Sequence, residues 1–341
     1  MAQLLKAAAN GNLEKVIDLR DQWNFQNKKG ETVLHIAVSE DQLEIVSYLV
    51  SHGAPLDYQD KKNRFTPLML CLAQRPPRYL EIVQALLKGK PDLTIQDSAG
   101  QTVLHLATQY EEVEVVEMLL RSKPKVDAVD AKKMTPLHVA AGKGNVELVK
   151  ILIERGHASP NAVDAKGNTP LHWVCILNAE DLTELIAYLV AKGSRPVKNY
   201  AGNTPLHAEA MHCDTSAKWP TEAAEALMKA FPQLETETNE KGLTAQQVFD
   251  QGIDSEEPTA PAPESNASQE SKGPHKRKGG DRMSPEDFQE NAAAARAAAI
   301  ARTKKKAASK HGQENASLLV KLLYIILALA VLAGAYSLIF A

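Results

Sequence analysis

A short motif of the form T-P/V-L-H recurs through the first 250 residues at nearly constant spacing. Six clear copies and one degraded copy begin at Thr32, Thr66, Thr102, Thr135, Thr169, Thr204 and Thr244. The steps between them are 34, 36, 33, 34, 35 and 40 residues. Repeats of this length fold by stacking, because one unit cannot bury its apolar face alone. The period therefore predicts a repeat array with a continuous core.

The residues around each threonine predict a turn followed by two helices. Asp or Asn stands five residues before most threonines, at Asn27, Asp97, Asp130, Asp164, Asn199 and Asn239. Glycine usually stands two residues before them, at Gly30, Gly100, Gly167, Gly202 and Gly242. This pairing is turn chemistry, since glycine reaches positive φ without a steric cost. Proline after the threonine fits the first helical position. Segments such as VELVKILI then show the apolar spacing of a second helix.

These motifs closely resemble the ankyrin repeat, a β-turn followed by two antiparallel helices with T-P-L-H opening the first. The resemblance covers residues 1–252 and implies an all-α solenoid of about seven repeats, including caps. LLKAAANGNLEKVIDL, near the start, is similar to an N-terminal cap. The last copy carries polar Gln246 and Gln247, as expected of a C-terminal cap. The family binds other proteins, so a binding surface is the expected functional feature.

Four departures from the repeat pattern carry expectations of their own. Arg64 and Lys133 stand where glycine would ease the turn, so we expect strain there. QRPPRY, with Pro76, lies between the helices of the copy that begins at Thr66, and HCDTSAKWPT, with Trp219, lies between those of the copy that begins at Thr204. Insertions in repeat arrays fall on one edge and often carry binding.

The recurring histidines suggest metal binding, but their spacing argues against it. They occupy the same position of the repeat at His35, His105, His138, His172 and His207. Stacked helices lie about 10 Å apart, whereas the ligands of one metal lie about 2 Å from it. The resemblance implies instead that each histidine bonds the neighbouring turn. We find no nucleotide-binding loop and no hydrolase or zinc-protease motif, and Cys175 fills an apolar position. We therefore expect no enzyme, no cofactor and no metal.

Exposed side chains at the turn tips are candidate partner-binding residues. They are Lys61, Arg64, Phe65, Lys132, Lys133 and Tyr200. Trp219, in the HCDTSAKWPT loop, is a further candidate. The alternative for each is an ordinary solvated turn residue. Residues 1–271 carry a net charge of about −10, which argues against nucleic-acid binding. Three cysteines far apart indicate reduced thiols in a cytosolic domain.

Beyond the repeats the composition changes three times. Residues 253–283 are rich in Pro, Ser, Glu and Gly and predict a disordered linker. Residues 284–311 predict a basic, alanine-rich helix. Residues 318–341 predict a transmembrane tail anchor, since 20 uncharged residues span about 30 Å as a helix. Basic residues precede the span at Arg302, Lys304, Lys305, Lys306, Lys310 and Lys321.

The basic residues place the N-terminal side of the span in the cytosol. No secretory signal opens the chain, and the long apolar span favours the endoplasmic reticulum over the mitochondrial outer membrane. Small residues such as Ala330 and Gly334 are compatible with a weak dimer of spans. We therefore expect a membrane-tethered adaptor with protein partners and no nucleic-acid partner. The alternatives are a soluble or nuclear regulator of transcription factors and an ankyrin-linked membrane enzyme or channel subunit.

Overall fold

The computed structural model describes residues 2–177, 182–213 and 219–252, and these fold as a stack of helix pairs. Each of the seven pairs contains a first helix and a second helix, and an eighth first helix closes the described part. The first helices are α1 Ala2–Ala9, α3 Val33–Ser39, α5 Pro67–Gln74, α7 Val103–Gln109, α9 Pro136–Gly142, α11 Pro170–Leu177, α13 Pro205–His212 and α15 Ala245–Gln251. The second helices are α2 Leu13–Asp18, α4 Leu43–Ser51, α6 Tyr79–Lys88, α8 Val113–Arg121, α10 Val146–Glu154, α12 Thr183–Ala191 and α14 Glu222–Ala230.

Two short 3₁₀ helices, Arg20–Gln22 and Pro232–Glu235, follow α2 and α14. Among the described residues the only β-pairing is an isolated bridge between Thr238 and Thr244. The predicted all-α solenoid of about seven repeats is therefore confirmed for this part of the chain.

The core runs along the stack because helices pack on the equivalent helices of neighbouring repeats. α9 and α13, for example, both pack against α11, while α4 packs against α6. The leucine of the recurring motif is fully buried in successive repeats, as at Leu104, Leu137 and Leu171. Each repeat thus covers the apolar face of the next, which is why the period of the sequence specifies the fold.

The motif threonine caps the first helix, and the third residue after it completes a capping box except after Thr66, where that residue is Met69. The Thr204 side chain accepts a hydrogen bond from the backbone N–H of His207, and the His207 ring accepts one from the Thr204 backbone. Gln247 replaces the histidine in α15, and its Oε1 accepts from the Thr244 N–H at 2.9 Å. The degraded last copy therefore keeps the cap with a different side chain.

Successive turns are joined by backbone hydrogen bonds. Lys61 N donates to Lys29 O at 2.8 Å, and Ala165 N donates to Lys132 O at 2.9 Å. Arg64 and Lys133 take the left-handed conformation of their glycine counterparts, with φ of 58° and 57°. The expected strain at these two turns is therefore present, since a side chain disfavours that region. Asp60, six residues before Thr66, caps this one-residue-longer turn through the Asn63 and Arg64 N–H groups.

The QRPPRY loop binds neighbouring repeats of the same chain. Arg78 pairs with Asp41 of the preceding repeat, with 3.1 Å between Nε and Oδ2. Arg75 pairs with Glu112 of the following repeat. The Tyr79 hydroxyl also donates to Glu112, at 2.8 Å. The described geometry therefore gives this insertion a stabilising role within the stack.

The predicted linker 253–283, basic helix 284–311 and span 318–341 lie outside the described residues, as do the basic residues Arg302, Lys304, Lys305, Lys306, Lys310 and Lys321. Within the described ranges no helix combines the length and apolar character that a bilayer crossing requires.

Candidate functional site

The recurring histidines form a chain of internal hydrogen bonds from each repeat to the next. In each, Nδ1 faces the motif threonine, and Nε2 reaches the backbone carbonyl just before the next motif threonine. The carbonyls belong to Phe65, Met134, Asn168, Asn203 and Leu243, at 2.9–3.1 Å. Because Nδ1 accepts from a backbone N–H, the proton lies on Nε2. The predicted bond to the neighbouring turn is therefore confirmed.

Burial keeps these rings neutral. It lowers the pKa of each of the five histidines, and it lowers that of the most buried, His172, to about 4. The bond to the Asn203 carbonyl and the Asp164 charge raise the pKa of His172, but desolvation is the larger effect. Both nitrogens of each ring are committed to the fold, which leaves them no lone pair for a metal.

A row of apolar side chains lies on the first helices, one residue after each motif histidine or, in the third repeat, after Met69. Ile36, Leu70, Val139 and Trp173 in this row are partly exposed, whereas Leu106 and Ala208 are buried. We call the four partly exposed side chains the inner row. The inner row therefore forms two partly exposed apolar stretches, Ile36 with Leu70 and Val139 with Trp173, on either side of the buried Leu106. A partner can cover either stretch.

Trp173 is the largest member of the inner row, and its ring is fixed in place. The indole Nε1 donates to Asp164 Oδ2 at 3.0 Å, which ties the ring to the turn of its own repeat. Its other neighbour is Gly142 of α9, where an added Cβ would lie 3.2 Å from Trp173 Cε3. The indole is therefore held by a hydrogen bond to Asp164 in the turn and by close packing on Gly142 in the preceding first helix.

The turn tips, meaning the residues from the turn Asp or Asn to the residue before the motif threonine, are predominantly basic. Their exposed cations are Lys28, Lys29, Lys61, Lys62, Arg64, Lys132, Lys133, Lys166 and Lys241. The aspartates of the same turns point inward as caps: Asp164 Oδ1, for example, accepts from Lys166 N and Asn168 N at 2.8 Å each. Asp60, Asp97 and Asp164 are accordingly buried. Glu240 is the one exposed acid on the described tips.

The second helices carry the opposite charge. An exposed glutamate stands in the first turn of every described second helix, at Glu14, Glu44, Glu81, Glu114, Glu147, Glu184 and Glu222. A carboxylate there is favourable because the helix N-terminus carries partial positive charge. The net negative charge of the repeats is therefore separated from the basic tips.

The candidate partner-binding residues divide into two groups. Lys61, Arg64, Lys132, Lys133 and Tyr200 are exposed on the turn tips, as expected. Lys132 and Lys166 are electrostatic neighbours on adjacent turns, and burial followed by the Lys166 charge lowers the pKa of Lys132 against the pull of Asp130. Whether these residues contact a partner stays a prediction.

Phe65 and Trp219 are less accessible than the other candidates. Phe65, which was expected to be exposed, is partly buried and packs against the core, while its carbonyl accepts from His35. Trp219 is also partly buried, and it stacks on Phe249 of α15 with ring centroids 5.1 Å apart. Contacts with the core therefore take part of both rings out of solvent. All three cysteines are buried thiols, in agreement with the filler role expected of Cys175.

Reasoning from the sequence missed Trp173 and Val139 as surface residues. Both stand one residue after the histidine, in a position that takes Ile, Leu, Val, Trp or Ala in different copies. That variability, beside the constant leucine two residues earlier, is the signal that could have marked the position as facing outward.

Comparison with known proteins agrees with this geometry. The family model "Ankyrin repeats (3 copies)" matches residues 4–97 and 78–164. The solved ankyrin repeat domain of Bcl-3, described as a unique member of the IkappaB protein family, is similar with a TM-score of 0.56 and 28% identity. The match covers 66% of this chain and 97% of that domain.

Curated relatives match over shorter stretches. Mouse "Ankyrin repeat and SOCS box protein 6" is 34% identical over 103 residues, which is 30% of this chain and 22% of that protein. Zebrafish "Putative palmitoyltransferase ZDHHC13" is 30% identical over 113 residues, which is 32% of this chain and 17% of that protein. The matches thus span about a fifth of the curated relatives' length. The family model thus shows ankyrin repeats within residues 4–164, and the helix-pair stack as a whole is similar in fold to a solved ankyrin repeat domain.

Proposed function

We propose that the protein is a non-enzymatic adaptor that binds a protein partner through the inner row and the turn tips. Trp173 is the observation that carries this proposal. An indole that is partly exposed and held by Asp164 and Gly142 offers a large apolar contact at little conformational cost. Ankyrin solenoids in general serve as protein-interaction scaffolds, and this array has the apolar stretches and charged rim of such a surface.

We further propose that residues 318–341 hold the repeats at the cytosolic face of a membrane, with the endoplasmic reticulum favoured. The support is in the sequence: residues 322–341 are apolar and uncharged, and Lys321 with the upstream basic cluster lies on one side. Tethering would raise the effective concentration of the binding surface at the membrane without adding a contact. Pairing of two spans through Ala330 and Gly334 stays part of this proposal.

A second candidate is a soluble or nuclear regulator of transcription factors. The similarity to the ankyrin domain of Bcl-3 favours it, together with the basic HKRK run at residues 275–278. The zebrafish relative named as a palmitoyltransferase supplies less support for an enzyme, because the match covers 17% of that protein.

Localisation distinguishes the two candidates. The full chain, a version truncated after Gly312, and a full chain with Leu329→Arg and Leu332→Arg would be imaged and fractionated. We expect the full chain in membranes and both variants released, since charges at the centre of a span oppose insertion. A full chain that stays soluble or nuclear would overturn the tether and favour the second candidate.

Proximity labelling tests partner binding. The full chain is compared with Trp173→Ala and with Tyr188→Ala, which truncates a partly exposed aromatic on the second helix of the same repeat. We expect Trp173→Ala alone to lose specific labelling of partners. Equal labelling by all three proteins would refute a partner site at the inner row.

A further inference from the structure

The charged and apolar side chains of the fifth and sixth repeats indicate which chemical class of partner would bind there. Lys132, Lys133 and Lys166 stand on two adjacent tips that are joined by the hydrogen bond from Ala165 N to Lys132 O. All three are exposed. Each aspartate in these turns has an oxygen turned to the backbone, as for Asp130 with the N–H groups of Lys132 and Met134. Positive charge therefore faces outward along this stretch.

Apolar surface accompanies the charge at the same repeats. Val129 and Val163, directly before the turn aspartates, are each 44% exposed. The equivalent residues of earlier repeats are Gln59 and Gln96, and each donates from its side chain to the backbone of the following repeat. A valine side chain cannot donate that hydrogen bond, so this series of glutamine bonds between repeats ends at Gln96, and the exposed valines follow it. Trp173 and Val139 of the inner row lie in these repeats too.

The second helices of these two repeats offer an acidic ligand no comparable positive charge. Glu147 and Glu184 are exposed in their first turns, while Lys150 and Lys192 are already paired with Glu184 and Glu154. The tips therefore attract an acidic ligand at long range more strongly than the second helices do. The charge pattern thus favours an acidic ligand on the side of the tips.

Resting on the proposed function, we propose that the fifth and sixth repeats bind an acidic segment of a protein partner that carries an apolar anchor residue. Its carboxylates face Lys132, Lys133 and Lys166, and its apolar side chain packs on Trp173. Acidic residues alone would bind weakly at exposed lysines. The indole supplies the desolvated contact that gives such an interface its affinity.

Fluorescence anisotropy with the detergent-solubilised full chain tests this. The probes are a labelled 12-residue Asp/Glu-rich peptide with one central Leu, the same peptide with Ser for Leu, and a Lys-rich version. We expect the Leu-containing acidic peptide to bind, with loss of about tenfold in affinity for the Ser peptide and for Trp173→Ala. Lys132→Glu with Lys166→Glu should cost about tenfold or more, and raised salt should weaken binding.

Two control variants change the charge away from the tips. Lys88→Glu with Lys229→Glu makes the same charge change as the tip variant, at exposed ends of second helices. Changing Lys304, Lys305 and Lys306 to Glu makes a larger change in the basic residues outside the described ranges. Both should bind the acidic peptide within about twofold of the unmodified chain, because neither touches the tips. Circular dichroism of each variant excludes unfolding as the cause of a loss.

Three outcomes would overturn the proposal. In the first, the tip variants leave the affinity for the acidic peptide unchanged. In the second, only the changes at Lys304, Lys305 and Lys306 lower that affinity. In the third, the tips bind phosphatidylserine vesicles but not the peptide. If Trp173→Ala abolishes partner labelling while acidic peptides fail to bind, the adaptor function stands and the acidic chemistry is wrong. If neither assay responds to Trp173→Ala, both proposals fail.

Discussion

The Nε2–H group of His138 donates to the carbonyl oxygen of Asn168, in the turn of the next repeat, across 3.0 Å. The opposite nitrogen of the same ring accepts from the Thr135 N–H at 3.1 Å. One buried side chain thus caps its own helix and holds the adjacent turn. The third repeat has Met69 in this place and lacks the bond.

Replacing this histidine should destabilise the stack. In His138→Ala the Thr135 N–H and one lone pair of Asn168 lose their buried partner, and a cavity opens. We expect the free energy of unfolding to fall by about 2–4 kcal/mol, measured by urea denaturation. His157→Ala, at an exposed histidine, should change it by less than about 1 kcal/mol. Equal losses at the two sites would contradict a special role for the inter-repeat bond.

Stability should fall as the pH falls from 6.5 towards 4. Burial lowers the pKa of His172 to about 4 in the folded state, whereas a free histidine protonates near pH 6.5. Between these values the unfolded state binds the extra proton, so acidification favours unfolding, by up to about 1.4 kcal/mol per pH unit from this residue. His172→Gln should flatten the dependence, since Gln247 shows that glutamine can complete the cap.

Urea denaturation at pH 7, 6 and 5 measures this effect as the difference between the two proteins. Glu209 opposes the trend, because burial raises its pKa and protonation of its carboxylate then favours the folded state. Both proteins keep Glu209, so its contribution cancels in the difference between them. Parallel curves for His172→Gln and the unmodified chain would show that His172 does not govern the dependence.

Glycine should be stabilising at one turn, while its loss should be destabilising at another. Lys133 has φ 57°, and Lys133→Gly relieves backbone strain, with a net gain of about 0.5–1 kcal/mol after the extra chain entropy of glycine. Gly100→Ala should cost about 2–4 kcal/mol, because the new Cβ would lie 2.6 Å from Ala131 N. Thermal unfolding reports both signs, and destabilisation by Lys133→Gly would refute the strain.

The carboxylate of Glu112 should stabilise the third and fourth repeats. It is 8% exposed and accepts from the Tyr79 hydroxyl while it pairs with Arg75. Glu112→Ala should cost about 1–2 kcal/mol, a modest value because Arg75 remains half-exposed. Glu154 makes the same pair of contacts, with Lys192 and Tyr188, on an exposed surface. Glu154→Ala should leave urea unfolding unchanged, and similar losses for the two variants would argue against burial as the cause.

Local pattern was sufficient for much of the fold. The threonine spacing and the turn Asp and Asn residues predicted the turns and the helix pairs, because each depends on residues within one repeat. The histidine bonds to the neighbouring turn were expected from the resemblance to ankyrin repeats. Asp60 was missed as a turn cap because its turn is one residue longer. Phe65 was expected to be exposed, but its burial depends on contacts with the core. The partial burial of Trp219 depends on the core and on stacking against Phe249, 30 residues later.

The sequence by itself determined the stack, its period and the presence of basic turn tips, since short-range periodicity dictates which faces must be buried. Only the tertiary structure decided which residues remain on the surface. It showed that the turn aspartates cap backbone groups while the lysines face solvent, and that Trp173 is fixed between Asp164 and Gly142. The caps and the Trp173–Asp164 bond lie within one repeat, but the packing of Trp173 on Gly142 joins two repeats, so the burial of this ring depends on a neighbour that its own repeat does not contain.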